Sequence, residues 1–331
     1  KVNTLSGIGT EGPVLDGGLK FRSLNYMTLP KGDAAQRGRG RGVVGGGYIA
    51  PARSDVIDYI TIQSEGGAKD FGDLTEARSD CANVSSSTRG IWAGGIVGYR
   101  NIIDFVTIAT TGNAADFGDI TSQRQQPAGA SNQTRGIVAG GKSPSSNPAG
   151  VNTIEFITIA STGDGQDFGD LLATQAGHFG LSSPTRAIFA GGYTPADTNV
   201  IQYITIATTG DAQDFGDLTL ARGGGAGGAS NTRGVFFSGS ASPALNVTID
   251  FVTIATTGDA SDFGDAILAR GEITGCCSDN TRGVFGGGNP NTNAIEKITI
   301  ATTGNPKGFG DLTVARRGTT SLSDSHGGLA E

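Results

Sequence analysis

One segment occurs six times in this chain, and this repetition constrains the fold more than any other feature of the sequence. The clearest copy, residues 185–222, reads TRAIFAGGYTPADTNVIQYITIATTGDAQDFGDLTLAR. An arginine opens every copy, and successive opening arginines are 46 to 51 residues apart. They are Arg41, Arg89, Arg135, Arg186, Arg233 and Arg282. No copy has the apolar i, i+3, i+4, i+7 spacing of an amphipathic helix, so the sequence predicts an all-β fold.

Each copy divides into four short strands, which we letter a to d from the centre of the fold outward. Strand b is the apolar run that ends in two glycines, and strand c is the ITI run, at residues 188–192 and 203–206 of the clearest copy. Strand d begins at the FGD element, and strand a is the small-residue stretch that follows it. Because strand c is apolar on both faces, we expect neighbours on both sides of the sheet. A repeat of this length and content is typical of a β-propeller blade.

The strand count predicts how the ring closes. The first strand b begins at Arg41 without a proper strand a before it, and the chain ends with a spare strand a at residues 317–325. We therefore expect this last segment to pair with the first repeat, which gives six blades and leaves no open edge. Residues 1–40 echo the repeat only in part, at 14–18 and 25–33, and are interpreted as an extension or a degenerate repeat. Seven blades is the alternative if they form strands.

Composition bounds the classes of partner. The net charge is −7 and RGRGR, residues 37–41, is the one basic tract, so we expect no nucleic-acid partner. No stretch of eighteen apolar residues occurs, which predicts no membrane span. The three cysteines are not placed at repeated positions and are expected to be free thiols: Cys81, Cys276 and Cys277. With only His178 and His326 as histidines, at non-equivalent positions, we expect no enzyme, no metal and no cofactor.

Length variation points to a binding surface. The strand c aromatic and the FGD phenylalanine are always twelve residues apart, whereas the interval from the diglycine to strand c varies from nine to fifteen. The variable b–c loops emerge on one face, where repeat proteins carry binding. The candidate binding residues in these loops are Tyr48, Arg53, Tyr99, Arg100, Lys142 and Tyr193. Unselected drift of an exposed rim is the competing explanation for any single one of them.

Charged residues at repeated positions are predicted to be structural. We expect the opening arginines to form charge-assisted hydrogen bonds, on the face opposite the b–c loops, with the second aspartate of each FGD element. These aspartates are Asp73, Asp119, Asp170, Asp217, Asp265 and Asp311. The acids Asp164, Asp167 and Asp170 also suggest a calcium loop, but they lack the D-x-D-x-D alternation, so turn capping is the favoured interpretation.

The repeat resembles the kelch family of β-propellers. The shared pattern is a diglycine, an aromatic in strand c (Tyr203), a second aromatic in strand d (Phe215) and an arginine after it (Arg222). It departs from kelch in having Phe as the second aromatic, in the wider spacing of the two aromatics, and in Gln175, which replaces the arginine in one copy.

The sequence motifs TRGVFGGG, ITIATTG and FGDLTVAR are similar to kelch-like repeats in structural proteins of tailed phages, notably those of cyanobacteria. This resemblance implies a non-enzymatic component of a virion or extracellular surface, such as a tail fibre or capsid-decorating protein within a larger assembly. The implied partners are other virion or surface-assembly proteins, or a cell-surface glycan. A glycan-binding adhesin or a glycan-processing enzyme is the alternative.

Overall fold

The structure is a computed structural model, and it describes residues 40–144, 150–193 and 195–329. These residues form six antiparallel blades of four strands arranged in a ring, which confirms the predicted all-β, six-bladed β-propeller. The extension predicted for residues 1–40, and with it the seven-blade alternative, falls almost wholly outside the described residues.

The strands follow one another in the predicted order. Blade 1 holds β1 (Arg41–Ile49), β2 (Ala52–Thr61) and β3 (Lys69–Asp73). Blade 2 holds β4 (Ala82–Ser85), β5 (Arg89–Ala93), β6 (Arg100–Thr107) and β7 (Ala115–Arg124). Blade 3 holds β8 (Ala128–Ser131), β9 (Arg135–Ala139), β10 (Val151–Thr158) and β11 (Gln166–Gln175). Blade 4 holds β12 (Phe179–Ser182), β13 (Arg186–Ala190), β14 (Val200–Thr205) and β15 (Gln213–Asp217).

The last two blades carry small additions. Blade 5 holds β16 (Ala226–Ala229), β17 (Arg233–Phe237), a hairpin of β18 (Ser240–Ala241) and β19 (Ala244–Leu245), then β20 (Thr248–Thr253) and β21 (Ser261–Asp265). β22 (Ile273–Thr274) precedes blade 6, which holds β23 (Cys277–Ser278), β24 (Arg282–Gly286), β25 (Thr292–Thr299) and β26 (Lys307–Arg316). The described chain ends with β27 (Thr319–Ser323) and a 3-10 turn, Gly327–Leu329.

The ring closes as the strand count predicts. β27 pairs antiparallel with β1, with Val43 opposite Leu322, and so supplies strand a of blade 1. β22 pairs with the other edge of β27 in parallel. First and last repeats are thus joined by main-chain hydrogen bonds, and strand a of blade 1 has no open edge.

Apolar layers between neighbouring blades form the core. In five blades the aromatic of strand c meets the FGD phenylalanine edge to face, with ring centroids 5.8 to 6.2 Å apart. In blade 6 Lys297 replaces that aromatic and forms an ion pair with Glu65 of blade 1. Near the axis the strands a of adjacent blades touch, and a Cβ added at Gly129 would lie 2.1 Å from the Asn83 carbonyl oxygen. The small residues of strand a are therefore a steric requirement.

Buried ion pairs cross the contact between neighbouring blades, which we call a seam. In five of the six seams an arginine at the end of strand d, or five residues after it, pairs with an acid in strand c of the next blade. Both side chains are almost completely buried. The pairs are Arg78–Asp104, Arg124–Glu155, Arg222–Asp250, Arg270–Glu296 and Arg316–Asp58. In the sixth seam Gln202 Nε2 donates to Gln175 Oε1 at 2.7 Å. The exception at Gln175 is thus matched by a neutral partner.

The opening arginines have a different partner from the predicted one. Each guanidinium donates to a main-chain carbonyl at the end of strand c in the next blade, as Arg89 does to Ile159 at 2.9 Å. In five blades it also lies over the strand c aromatic of its own blade, 4.4 to 4.8 Å from the centroid. Stacking there directs it across the seam to a carbonyl, away from the aspartate.

The FGD aspartates use their main chain at the same seams. In five copies the second aspartate donates its N–H to the Asp or Asn side chain of the c–d turn in the next blade, as Asp119 does to Asp164 at 3.0 Å. No ion pair joins an opening arginine to one of these aspartates among the described residues. The predicted Arg–Asp bonds are therefore replaced by two separate sets of inter-blade contacts.

Candidate binding face

The b–c loops and the d–a connectors share one face of the propeller, which we call the loop face. In every blade the residue after the diglycine, or after Ser238-Gly239 in blade 5, forms a β-bridge with a connector residue. The bridges are Tyr48–Arg317, Ile96–Ser79, Lys142–Gln125, Tyr193–Ala176, Ser240–Gly223 and Asn289–Gly271. The opposite face, which we call the turn face, carries the a–b and c–d turns. The variable loops therefore stand on a fixed main-chain platform.

The predicted binding residues of blade 1 brace the rim of the loop face. The Tyr48 ring lies between two guanidinium groups, 4.4 Å from Arg53 and 4.9 Å from Arg317. Arg53 Nε also donates to the Ile96 carbonyl in the next blade at 3.1 Å. These contacts connect the loops of blades 1 and 2.

The other predicted residues are also engaged within the protein. Arg100 makes a bidentate bond to Glu76, with both distances 2.7 Å. Lys142 Nζ lies 4.6 Å from the centre of the Tyr193 ring, whose hydroxyl donates to Gln126 Oε1. All six predicted residues, Tyr99 included, are half-buried. They stabilise the loops, and their role in binding stays a prediction.

Around the axis, one residue per connector forms what we call the axial ring. These residues are Asp80, Gln126, Gly177, Gly224, Glu272 and Gly318. All six have left-handed backbones, with φ between 50° and 68°. Main-chain N–H to carbonyl bonds of 2.6 to 3.2 Å link the six connectors into a closed circle, with Ile273 donating in place of its neighbour Glu272. A left-handed backbone costs a non-glycine residue about 1–2 kcal/mol, so the three polar members are held against a local preference.

A cavity of about 780 Å³ opens inside this ring, toward blades 3 to 6, and we call it the axial cavity. Five members of the axial ring line it, and Gly318 is the exception. The charged and polar side chains in its wall include Asp80, Glu272, Asp197, Tyr193 and His178. Its volume lies in the range of small-molecule sites.

The acids of the axial cavity influence one another. Burial raises the pKa of Asp80 to about 6, and the negative charge of Glu272 adds to this, while the Ser79 hydroxyl, Arg53 and Arg317 oppose it. Glu272 pairs with Arg317 at 3.2 Å. A carboxyl group at this position ionises in the physiological range.

His178 is the most isolated polar group of the cavity wall. Its side chain is 3% exposed, and its ring packs edge to face on Phe189, 5.7 Å between centroids. Burial lowers the pKa of His178 to about 3, so the imidazole is neutral. Neither ring nitrogen has a hydrogen-bond partner among the described residues.

The other end of the axis is filled by the C-terminal segment. The 3-10 turn at Gly327–Leu329 is buried there, and His326 Nε2 lies 3.3 Å from both Ser131 Oγ and the Ser85 carbonyl oxygen. These serines end strands a, next to the turn face. The axial cavity therefore belongs to the loop face.

Length variation in the sequence does not single out the polar members of the axial ring, because the d–a connectors are nearly constant in length. A signal was present. The ring position is always two residues after the strand d arginine or Gln175, and three copies have glycine there while three have a long or charged side chain. Such a difference between copies of the repeat, at one equivalent position, indicates that packing alone does not determine the residue there.

Four further observations bear on the site. No protein-family model matches the chain, and no curated protein matches it in sequence. The described residues include no cluster of three or more potential metal ligands, and Asp164 and Asp211 instead accept main-chain N–H bonds as turn caps. No helix in the described part of the chain is long and apolar enough to cross a membrane. The three cysteines are buried free thiols, as expected.

Proposed function

We propose that this chain is a non-catalytic binding protein, a tail-fibre or capsid-decorating component of a virion or a part of another extracellular surface assembly. It holds a protein partner or a host surface through the loop face. The observation that carries the proposal is the position of the variable loops. All six are anchored to one main-chain platform, and the axial cavity opens among them. Rigid scaffolds with variable loops on one face are a common design for recognition.

The contacts of the repeated acids support a binding role over catalysis. The acids of strand c are held in buried seam pairs, where solvent and substrate have no access. Among the described residues, neither His178 nor His326 forms a hydrogen bond with a carboxylate, so neither is positioned as an activated base. The similarity of the repeat sequence to repeats in phage structural proteins supports the assignment to a virion.

A glycan-binding adhesin or a glycan-processing enzyme is the second candidate. The feature that favours it is the axial cavity, whose wall carries carboxylates of the kind that bond sugar hydroxyls. A glycan screen with analysis of reaction products separates the candidates, because turnover requires an active site and a protein partner requires no glycan.

Site-specific photocrosslinking tests the proposed function. A benzophenone amino acid is placed at Tyr99 on the loop face or, as a matched control in the same blade, at exposed Thr111 on the turn face. Each variant is produced in the source cells or particles, and crosslinked proteins are identified by mass spectrometry. We expect one dominant partner from Tyr99 and none from Thr111. A partner captured at Thr111 alone would place recognition on the turn face and contradict the proposal.

A further inference from the structure

The c–d hairpin of blade 6 is basic, whereas the same stretch of the other five blades is acidic. Lys297 replaces the strand c aromatic, and Lys307 begins strand d. Asn305 stands at a turn position that is aspartate in three copies, and Gly308 stands at a position that is aspartate in the other five. The equivalent residues of blade 4 are Tyr203, Asp211, Gln213 and Asp214. Every one of these four differences makes the blade 6 hairpin, residues 297–308, more positive.

The strand register places three cationic side chains on one face of blade 6. Lys307 is opposite Lys297 across the hairpin, and Arg282 is opposite Thr299, which lies two residues along strand c from Lys297. Opposite residues of an antiparallel pair share a face, and so do residues two apart in one strand. In the other five blades the opening arginine stacks on an aromatic ring, whereas Arg282 has a lysine at that position. Since like charges directly opposite one another are unfavourable, an anion between them would relieve a repulsion within the blade.

A cavity of about 280 Å³ opens at these side chains, and we call it the basic cavity. Its described wall contains Arg282, Lys297 and Lys307 together with neutral residues of strand c and the c–d turn, and it contains no aspartate or glutamate. A cavity of about 220 Å³ lies at the equivalent place in blade 4, where the described wall holds Tyr203 and Asp211 and no lysine or arginine. The space therefore comes from the repeated fold, and the positive charge is particular to blade 6.

The protein itself neutralises only part of this charge. Glu65 of blade 1 pairs with Lys297, and the Glu65 side chain is 62% exposed. No ion pair joins Arg282 or Lys307 to an acid among the described residues. The nearby carboxylate of Asp279 caps the a–b turn, where it accepts the main-chain N–H of Arg282 at 2.7 Å. Two of the three cationic side chains are thus without a counter-ion in the described part of the chain.

We propose that the basic cavity binds an oxyanion, a phosphate or sulfate group. Lys297 and Lys307 supply ammonium donors and Arg282 supplies guanidinium N–H donors, and charge-assisted hydrogen bonds of this kind are about twice as strong as neutral ones. Asn305 Oδ1 accepts the main-chain N–H of Asp265 at 3.0 Å, so asparagine keeps the turn cap without the negative charge of an aspartate. The site lies on the turn face, and its ligand is therefore additional to the partner of the loop face.

An NMR titration at constant ionic strength tests the inference. The probes are inorganic phosphate, inorganic sulfate and glucose 6-phosphate, with chloride and glucose as comparisons, and the backbone amide signals of the blade 6 c–d turn report binding. Lys307→Gln removes one cation from an exposed position. Lys69→Gln is the matched control, because Lys69 is also exposed and begins strand d of blade 1, opposite Tyr59. Melting curves check that both variants fold.

We expect phosphate or sulfate to shift these signals until they saturate, and Lys307→Gln to bind about tenfold more weakly, with Lys69→Gln unchanged. Both sources of the group support the inference: glucose 6-phosphate that binds at least as tightly as inorganic phosphate assigns the site to a sugar ester, and weaker binding assigns it to a free ion. Equal shifts with chloride, unchanged binding by Lys307→Gln, an equal loss in Lys69→Gln or the absence of saturable binding would overturn the inference.

Discussion

The seams and the loop face respond differently when one repeat departs from the others. At the seam between blades 3 and 4, Gln175 replaces an arginine and Gln202 replaces the opposing acid, so the contact stays satisfied. On the axial ring, Asp80 and Glu272 replace glycines of other repeats, and their left-handed backbones remain. Asp80 in addition carries a buried, poorly solvated charge. A substitution that is matched by a change in its partner, as at Gln175 and Gln202, indicates selection for stability. A substitution that leaves a strained backbone or a buried charge, as at Asp80, indicates selection for another property.

The largest effect is expected from opening the ring. Deleting residues 317–331 removes β27, the partner of both β1 and β22, and leaves two unpaired edges. We expect unfolding or aggregation, measured by circular dichroism and size-exclusion chromatography. A monodisperse truncated protein with unchanged melting would show that closure by this strand does not stabilise the ring.

The pairing rule of the seams can be broken at its neutral exception. Gln175→Arg alone buries a guanidinium without a carboxylate and should lower the free energy of unfolding by about 3–5 kcal/mol. Adding Gln202→Glu rebuilds the arrangement of the Arg124–Glu155 seam and should recover most of the loss. Denaturant unfolding of the two single variants and the double variant measures the coupling. Additive losses would mean that the two positions do not interact.

A smaller loss is expected from the turn face. Arg233→Ala removes the hydrogen bonds to the carbonyls of Ile300 and Ala301 and the stacking on Phe251. We expect a loss of about 1–3 kcal/mol in the free energy of unfolding. The affinity for the partner identified by crosslinking should stay unchanged, because the change lies on the face opposite the loops. Lost affinity at unaltered stability would mean that this face carries recognition.

The Asp80→Asn substitution should stabilise the protein, in contrast to the changes above. The pKa of Asp80 is raised from 3.8 to about 6 in the folded protein. The contribution of this carboxyl group to folding stability is therefore most favourable below pH 4 and is lost as the pH rises through 6. Asparagine also tolerates the left-handed backbone, so the variant should gain about 1–3 kcal/mol at pH 7.5. Melting compared at pH 7.5 and pH 4 measures this. Equal effects at both pH values would rule out the charge as the cause.

Acid should destabilise the protein through its buried histidines. Burial lowers the pKa of His178 to about 3 and of His326 to about 4, below the value of 6.5 for an exposed histidine. The contribution of these neutral histidines to folding stability is therefore fully present above pH 6.5 and is lost as the pH falls toward 3. His326→Gln should flatten the fall in melting temperature between pH 6.5 and 4. An unchanged slope would show that His326 does not contribute to it.

The sequence was sufficient for the fold and insufficient for the site. Repeat spacing, apolar runs and the spare strand at the C-terminus are local signals, and they predicted six blades and their closure. The partners of the opening arginines were predicted wrongly, because stacking on the strand c aromatic directs the guanidinium to a carbonyl. The axial cavity was missed, since it depends on how six connectors converge. The isolation of His178 is likewise a property of coordinates alone.

The central claim is that recognition belongs to the loop face, and steric blocking tests it most directly. Ala244→Cys on the loop face and Thr257→Cys on the turn face of the same blade are both exposed, and each is coupled to maleimide-polyethylene glycol. The native cysteines are buried, and burial raises the pKa of Cys81 to about 11 and of Cys277 to about 12, so the wild-type protein is an unlabelled control. With the partner found by crosslinking, polymer at Ala244→Cys should abolish binding and polymer at Thr257→Cys should leave it intact. The reverse result would contradict the account.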